Sequence, residues 1–250
     1  MLCSISLLEL VKKQTLFKLN ALSGAFTVMI VFQVATILFT IFIPTSSYGM
    51  NSSDLFSFNL YNISSNAVIV FTFIWAFIVG ILITSKAYRY DDFSFVTSRV
   101  SANLANICYL VVMSVFSGFT AFFSSYMIKV GVYFSRSGDV LYESIPSWTI
   151  IMSGAVATML YLLLLGTIGY VIGMLVQVYP AFKFIIPAVF IGWIFTWFIT
   201  GIGEQGIINW IFVQIFAETS ILLVIVKVLL SCTLMLFLTS MITNRLEVRT

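Results

Sequence analysis

Apolar residues dominate six stretches of the chain, at 22–43, 65–84, 104–128, 148–174, 184–201 and 220–243. A helix of about twenty apolar residues spans the roughly 30 Å of hydrocarbon in a bilayer. Because lipid offers no hydrogen-bond partners, a chain that crosses it must satisfy its backbone groups internally, as a helix does. The pattern predicts an all-α polytopic membrane protein with six transmembrane helices in a single domain over residues 1–250.

The composition agrees with this fold class and excludes several functions. The chain is 61% hydrophobic and 8% charged, whereas soluble domains are about a quarter charged. It has no histidine, the commonest metal ligand and general acid or base. Its cysteines, Cys3, Cys108 and Cys232, form no CxxC pair. We therefore expect no catalytic, cofactor or metal site and no enzyme activity.

Positive charges predict the orientation of the six spans. Nine of the twelve Lys and Arg residues fall on one side: Lys12, Lys13, Lys18, Lys86, Arg89, Arg99, Lys183, Arg245 and Arg249. Cytoplasmic loops carry such an excess of positive charge. Both termini are thus predicted to be cytoplasmic, in a multi-pass protein of the cell membrane. The net charge of +3 is too small to indicate nucleic-acid binding.

Two segments outside the spans carry amphipathic patterns. Residues 4–19 place apolar positions at helical spacing beside Lys12 and Lys13, which predicts a helix along the membrane interface; a frayed polar terminus is the alternative. In residues 85–99, Asp91 or Asp92 would cap a short helix. That helix would expose Phe93, Phe95 and Val96, with the charged residues Lys86, Arg89 and Arg99 around them. On composition alone, the segment 85–99 is interpreted equally well as a docking site for a soluble partner or as an interfacial turn.

Polar and aromatic residues inside the spans allow packing or pathway roles. Gln33 would pack by bonding a neighbouring helix or contact a substrate. Gly169 and Gly173 form a GxxxG pattern that favours close helix packing. Asn103 and Asn106 are interpreted as caps at the start of the third span. Aromatic residues of the fifth span, including Trp193 and Trp197, form an interfacial belt or line an apolar conduit.

Residues 201–220 (GIGEQGIINWIFVQIFAETS) are too polar for two crossings and too apolar for an ordinary loop. They predict a semi-embedded outer segment, which acts as a gate or lies as a plain interfacial helix. The candidate pathway and gate residues are Gln33, Trp193, Trp197, Glu204, Trp210, Phe212 and Glu218.

The order of the predicted elements resembles that of the permease subunit of bacterial ABC transporters of the ABC-2 (type V exporter) class. The matching elements are the interfacial helix at 4–19, the six spans, the charged helix at 85–99, a short second turn and the outer segment at 201–220. The resemblance implies that 85–99 is a coupling helix seated on a separate ATPase subunit. It also implies pairing with a second permease subunit, identical or different. No GxxxxGK[ST] motif occurs, so ATP and Mg²⁺ are expected on the partner and no cofactor on this chain.

The resemblance implies export, and the nearly charge-free spans indicate an amphipathic cargo: a peptide, a lipid-linked molecule or a lipophilic drug. Two alternatives remain. A secondary transporter or importer subunit would use ionisable residues at mid-membrane. A membrane immunity or assembly protein would hold a peptide without transporting it.

Overall fold

The computed structural model describes residues 6–42, 47–52, 56–61, 66–85, 88, 99–135, 140–141, 147–200 and 220–245. Its helices are α1 (Leu7–Ala21), α2 (Ser23–Phe42), α3 (Asn66–Ile83), α4 (Arg99–Ser135), α5 (Trp148–Val178), α6 (Phe182–Thr200) and α7 (Ile221–Arg245). Its strands are β1 (Ser47–Ser52), β2 (Phe56–Tyr61) and β3 (Val140–Leu141).

Five helical segments are long and apolar enough to cross a bilayer: Ser23–Phe42, Asn66–Ile83, Val100–Ser135, Trp148–Val178 and Ile221–Met241. The expectation of a helical, multi-pass membrane protein is confirmed at this level. Helix α6 coincides with the fifth predicted stretch but is not one of these five. Its main contact with the described elements is a small one with α5.

Helices α3 and α5 form the centre of the bundle. They share the most extensive interface, and α4 and α7 also pack on α5, while α2 packs on α3 and α4. The largest core cluster draws on four helices and the residue between α1 and α2: Leu22, Met29, Trp75, Ala76, Val79, Ile83, Tyr109, Leu110, Met113, Leu162, Tyr170 and Met174. The Trp75 indole nitrogen donates to the carbonyl of Ala25, 2.9 Å away, and so fastens α3 to α2.

Helix α1 (Leu7–Ala21) overlaps most of the segment 4–19 that is predicted to be helical, and it packs mainly on α4. Ser6 caps it by accepting from the Glu9 backbone amide at 3.3 Å, the usual role of a serine at this position. Lys13 and Glu9 form an exposed ion pair one turn apart, 3.1 Å between Nζ and Oε1.

Helix α4 differs from its predicted bounds at both ends. It begins at Arg99 and continues to Ser135, whereas the apolar stretch that predicts the third span covers 104–128. At about 1.5 Å per residue, its 37 residues extend about 55 Å. Lys129 stays within the helix, with its ammonium 5.5 Å from the centre of the Tyr126 ring, a distance at which a cation and an aromatic ring attract.

A small sheet, which the sequence pattern did not predict, connects α2 to α3. Strands β1 and β2 form an antiparallel hairpin whose register runs from the pair Ser47 and Tyr61 to the pair Ser52 and Phe56. Strand β3, between α4 and α5, pairs parallel with the end of β2. The pairing places the α2–α3 and α4–α5 connections side by side at one end of the bundle.

Candidate functional site

Helix α1 buries mainly polar side chains. Its buried positions are Val11, Gln14, Thr15 and Lys18, which recur at the spacing of one helix face. The Thr15 hydroxyl donates to the Val11 carbonyl, 2.8 Å away. The exposed residues of α1 are both apolar and charged: Leu8 is 81% exposed, and Glu9 and Lys13 form the exposed ion pair.

Lys18 belongs to a buried polar network that joins three helices. Its ammonium donates to the Oδ1 of Asn106 on α4. The Asn106 Nδ2 donates to the Tyr170 hydroxyl on α5 at 3.1 Å, and that hydroxyl donates to Asn103 Oδ1 at 3.2 Å. We call Lys18, Asn103, Asn106 and Tyr170 the Lys18 cluster. Lys18 is only 6% exposed, so its charge depends on such partners in place of water.

The Lys18 cluster corrects the interpretation of Asn103 and Asn106 as helix caps. Because α4 begins at Arg99, both residues lie inside the helix, three positions apart and therefore on one face. Their amides bond across helices instead of closing the α4 terminus. The i,i+3 spacing was the signal available in the sequence. Nothing local indicated that the cation it receives would come from Lys18.

Two buried polar side chains have no partner among the described residues. Gln14 is 2% exposed, and neither its Oε1 nor its Nε2 finds a hydrogen bond there. The hydroxyl of Tyr109, on α4, is also buried without a hydrogen bond to the described residues. Gln14 precedes Lys18 by one turn, on the same face of α1. Unsatisfied groups of this kind cost about 1–3 kcal/mol each.

Gln33 makes the contact that its packing interpretation expects. It is buried on α2, and its Nε2 donates to the Thr72 hydroxyl on α3 at 3.1 Å. The Thr72 hydroxyl donates in turn to the Val68 carbonyl at 2.7 Å. The amide nitrogen is therefore engaged within the bundle. A pathway role for Gln33 stays a prediction.

Glycines bring the backbones of α3 and α5 into direct contact. A Cβ at Gly169 would overlap the carbonyl oxygen of Phe77, and one at Gly80 would overlap the carbonyl oxygen of Gly166. A Cβ at Gly173 would overlap the Thr84 hydroxyl. The GxxxG pattern thus has the close-packing role expected of it.

The predicted docking and gate residues are largely outside the described part of the chain. Arg99 is the one predicted docking residue within the described part, where it is the first residue of α4. The other predicted docking residues lie outside the described part: Lys86, Arg89, Asp91, Asp92, Phe93, Phe95 and Val96. Of the gate set, Glu204, Trp210, Phe212 and Glu218 lie outside, while Trp193 and Trp197 are placed in α6 by their backbone alone. These assignments stay predictions.

Within the described residues, no group of three or more Cys, Asp or Glu side chains is positioned to hold a metal ion. The chain matches no protein-family model, no curated protein and no solved structure.

Proposed function

We propose that this chain is the membrane-spanning permease subunit of an ATP-driven exporter of the ABC-2 class. A separate ATPase subunit, docked on residues 85–99, supplies the energy. The cargo is an amphipathic molecule: a peptide, a lipid-linked compound or a lipophilic drug.

The observation that carries this proposal is the position of the Lys18 cluster. It fastens α1 to α4 and α5 within two turns of Arg99, the residue at which the charged segment ends. A partner that pushes on 85–99 would therefore move the start of α4 and, through Lys18, the whole of α1. Coupling between sites travels through rigid elements and bonded networks of this kind.

Helix α4 is suited to carry such a movement through the membrane. At about 55 Å it is longer than the 40–45 Å of a bilayer with its headgroups, and it contacts α1, α2, α3, α5 and α7. A tilt of α4 would change its packing against each of these helices. This supports a conformational mechanism driven from outside the bilayer, since rigid helices shift as units.

The spans favour an amphipathic cargo over a hydrophilic one. Asn66–Ile83 and Trp148–Val178, the two central helices, contain no Asp, Glu, Lys or Arg. The Gln33 amide nitrogen is engaged by Thr72. Secondary transporters usually place ionisable residues or broken helices at mid-membrane, so this composition supports the exporter over the secondary transporter.

The proposal assigns a place to each remaining element. Helix α1 lies along the cytoplasmic interface, with its exposed leucines in the acyl boundary and Lys12 and Lys13 among the headgroups. Helix α6 is the fifth of six spans, both termini are cytoplasmic, and a second permease subunit completes the transporter. The segment at 201–220 serves as the outer gate.

The decisive experiment is co-purification from the native membrane with an identified ATPase. We expect an ATPase subunit to be recovered with the chain, and its recovery to fall when Phe93 and Phe95 are both changed to Ala. The matched control is Phe184→Ala, because Phe184 is 80% exposed on the same predicted side and outside 85–99. All variants must elute as folded monodisperse protein.

Equal ATPase recovery with the double variant and with the control would reject docking at 85–99. Recovery of a folded chain with no ATPase under any mild detergent would reject the exporter itself. Substrate movement in vesicles driven by a proton gradient alone, without an ATPase, would support a secondary transporter instead.

A further inference from the structure

Helices α5 and α7 pack side by side and run in the same direction. The Thr167 hydroxyl lies 3.6 Å from the Cys232 Sγ. Apart from Ile168, the cluster between the two helices precedes this pair on both of them: Leu160, Tyr161, Leu163 and Leu164 on α5, and Val224 and Val228 on α7. In an antiparallel pair, the residues before Thr167 would face those after Cys232. The two helices are therefore parallel, with Thr167 level with Cys232.

This register places Lys227 level with the middle of α5. Lys227 is five positions before Cys232, so it is opposite Leu162, which is five positions before the partner of Cys232. Leu162 follows the first residue of α5 by 14 positions and precedes the last by 16. At about 1.5 Å per residue, the two ends of α5 are about 21 Å and about 24 Å away.

Helix α3 gives a second measure of the same depth. It also runs parallel to α5, because its backbone contacts with α5 occur in the same order on both helices. Thr84 lies against Gly173, and twelve positions earlier on each helix are Thr72 and Tyr161. Thr72 bonds Gln33, the eleventh of the 20 residues of α2. Since Tyr161 adjoins the α5 residue opposite the lysine, the lysine of α7 is also level with the middle of α2.

The level of Lys227 corresponds to the middle of the hydrocarbon. The 20 residues of α2 extend about 30 Å, the thickness of the hydrocarbon core. Either surface is then about 15 Å from Lys227, which is farther than a lysine side chain extends. Lys227 is only the seventh residue of α7, but α7 begins eight positions inside the level at which α5 begins. An ionisable residue at this depth ordinarily marks a functional site.

The surroundings of Lys227 on α7 are apolar. Its side chain is partly exposed and flanks the positions that pack on α5. Three exposed leucines continue its stripe of the helix at spacings of three, four and seven residues: Leu223, Leu230 and Leu234. Helices α4 and α5, the described helices with the largest contacts to α7, contain no Asp or Glu. An acidic group that these two helices do not supply can be brought by a ligand, whereas a proton relay would need a series of titratable groups.

We propose that Lys227 binds the anionic head of a single-chain amphiphile, a long-chain carboxylate or an alkyl phosphate. The alkyl tail lies along Leu223, Leu230 and Leu234. A bond between an ammonium and an oxyanion is stronger than a neutral hydrogen bond, and its attraction increases where water is excluded. The role of this amphiphile as export cargo rests on the proposed function, whereas the binding site does not require the ATPase.

A titration with dansylaminoundecanoic acid tests the site in the purified full chain, in dodecyl maltoside micelles. Energy transfer from tryptophan to the dansyl group reports binding. Lys227→Met removes the ammonium and keeps a side chain of similar length, and Lys227→Arg keeps the cation. The matched control is Lys183→Met, because Lys183 is exposed near the start of α6. All variants must elute as folded monodisperse protein.

We expect Lys227→Met to bind the probe about tenfold or more weakly than the unmodified chain, because a hydrogen bond to a charged group is lost. Lys227→Arg and Lys183→Met should bind it as the unmodified chain does. Dodecanoate and dodecyl phosphate should displace the probe, and methyl dodecanoate, an uncharged ester, should not.

Equal affinity of Lys227→Met and Lys183→Met overturns the proposal, and so does equal displacement by the ester and by dodecanoate. Displacement by phosphatidylglycerol as effective as that by dodecanoate also overturns it, because a membrane lipid then occupies the site. The titration contains no ATPase, so a failed co-purification rejects the exporter and leaves this site standing. A failed titration rejects the site and leaves the exporter standing.

Discussion

Substitution of Gly169 by alanine should separate α3 from α5. A Cβ at this position overlaps the carbonyl oxygen of Phe77 and lies 3.1 Å from its carbonyl carbon and 3.3 Å from the Cα of Gly80. All three neighbours are backbone atoms of α3, so no side-chain rotation relieves the overlap. The control is Gly154→Ala on the same helix, because a Cβ there meets nothing within 4 Å.

The control also isolates the size of the effect. Alanine in place of glycine favours a helix by about 1 kcal/mol at both positions, so this gain cancels when the two variants are compared. Overpacking a tight site typically costs about 1–3 kcal/mol, and a purely backbone contact belongs at the upper end of that range. We expect Gly169→Ala to be less stable than Gly154→Ala by about 2–3 kcal/mol and less stable than the unmodified chain.

Reversible unfolding in mixed micelles of mild detergent and dodecyl sulfate gives the required free energies. The signal is tryptophan fluorescence, to which the buried Trp75 contributes, with circular dichroism as a second probe to check that the transition is two-state. Equal stability of the two variants would refute the close approach of α3 and α5. So would a gain in stability for Gly169→Ala.

Gly173 offers a rescue test on the same interface. Here the overlap is with the Thr84 hydroxyl, a side-chain atom, and not with a carbonyl. Gly173→Ala should destabilise the chain, and adding Thr84→Ala should recover part of the loss because the overlapping oxygen is removed. Strictly additive losses in the double variant would contradict this geometry.

Three further predictions concern the buried polar groups. In a double-mutant cycle, Gln33→Leu and Thr72→Val should show a coupling of about 0.6 kcal/mol, the average for such bonds in membrane helices; a coupling of zero would contradict the bond. Lys18→Met should expose α1 to proteolysis and hydrogen exchange, whereas Lys13→Met, a change at an exposed site, should not; equal protection in both would contradict a role for Lys18 in holding α1. Gln14→Met should raise stability by about 1–3 kcal/mol in the same unfolding assay, because it removes a buried unsatisfied amide; a loss of stability would show that the amide is paired.

Helix positions were predictable because a bilayer requires them. Apolar runs of membrane length have one stable conformation in lipid, and α2, α3 and α5 begin within a residue or two of the predicted stretches. The end of α4 was not predictable from hydropathy. Lys129 interrupts the apolar run, but the helix continues past it, since a long lysine side chain reaches polar surroundings from inside a helix.

The hairpin and the Lys18 cluster escaped prediction for different reasons. Serine and asparagine in 47–61 conceal an alternation that becomes visible only when two strands are paired in register. Lys18 is separated by 88 positions from Asn106, its partner. No local pattern reveals such a contact, and a cation beside an amphipathic stretch is ordinarily assigned to the headgroups.

The packing of the bundle limits where movement can occur. Backbone contact between α3 and α5 leaves no side-chain layer that could slide, and the Lys18 cluster adds α1 and α4 to this unit. Helix α6 is different, because its main contact with the described elements is a small one with α5. We therefore expect an opening that preserves the buried bonds to displace α6 relative to the unit of α1, α3, α4 and α5. A cross-link between α3 and α5 should leave the proposed export intact, whereas one that ties α6 to α5 should stop it.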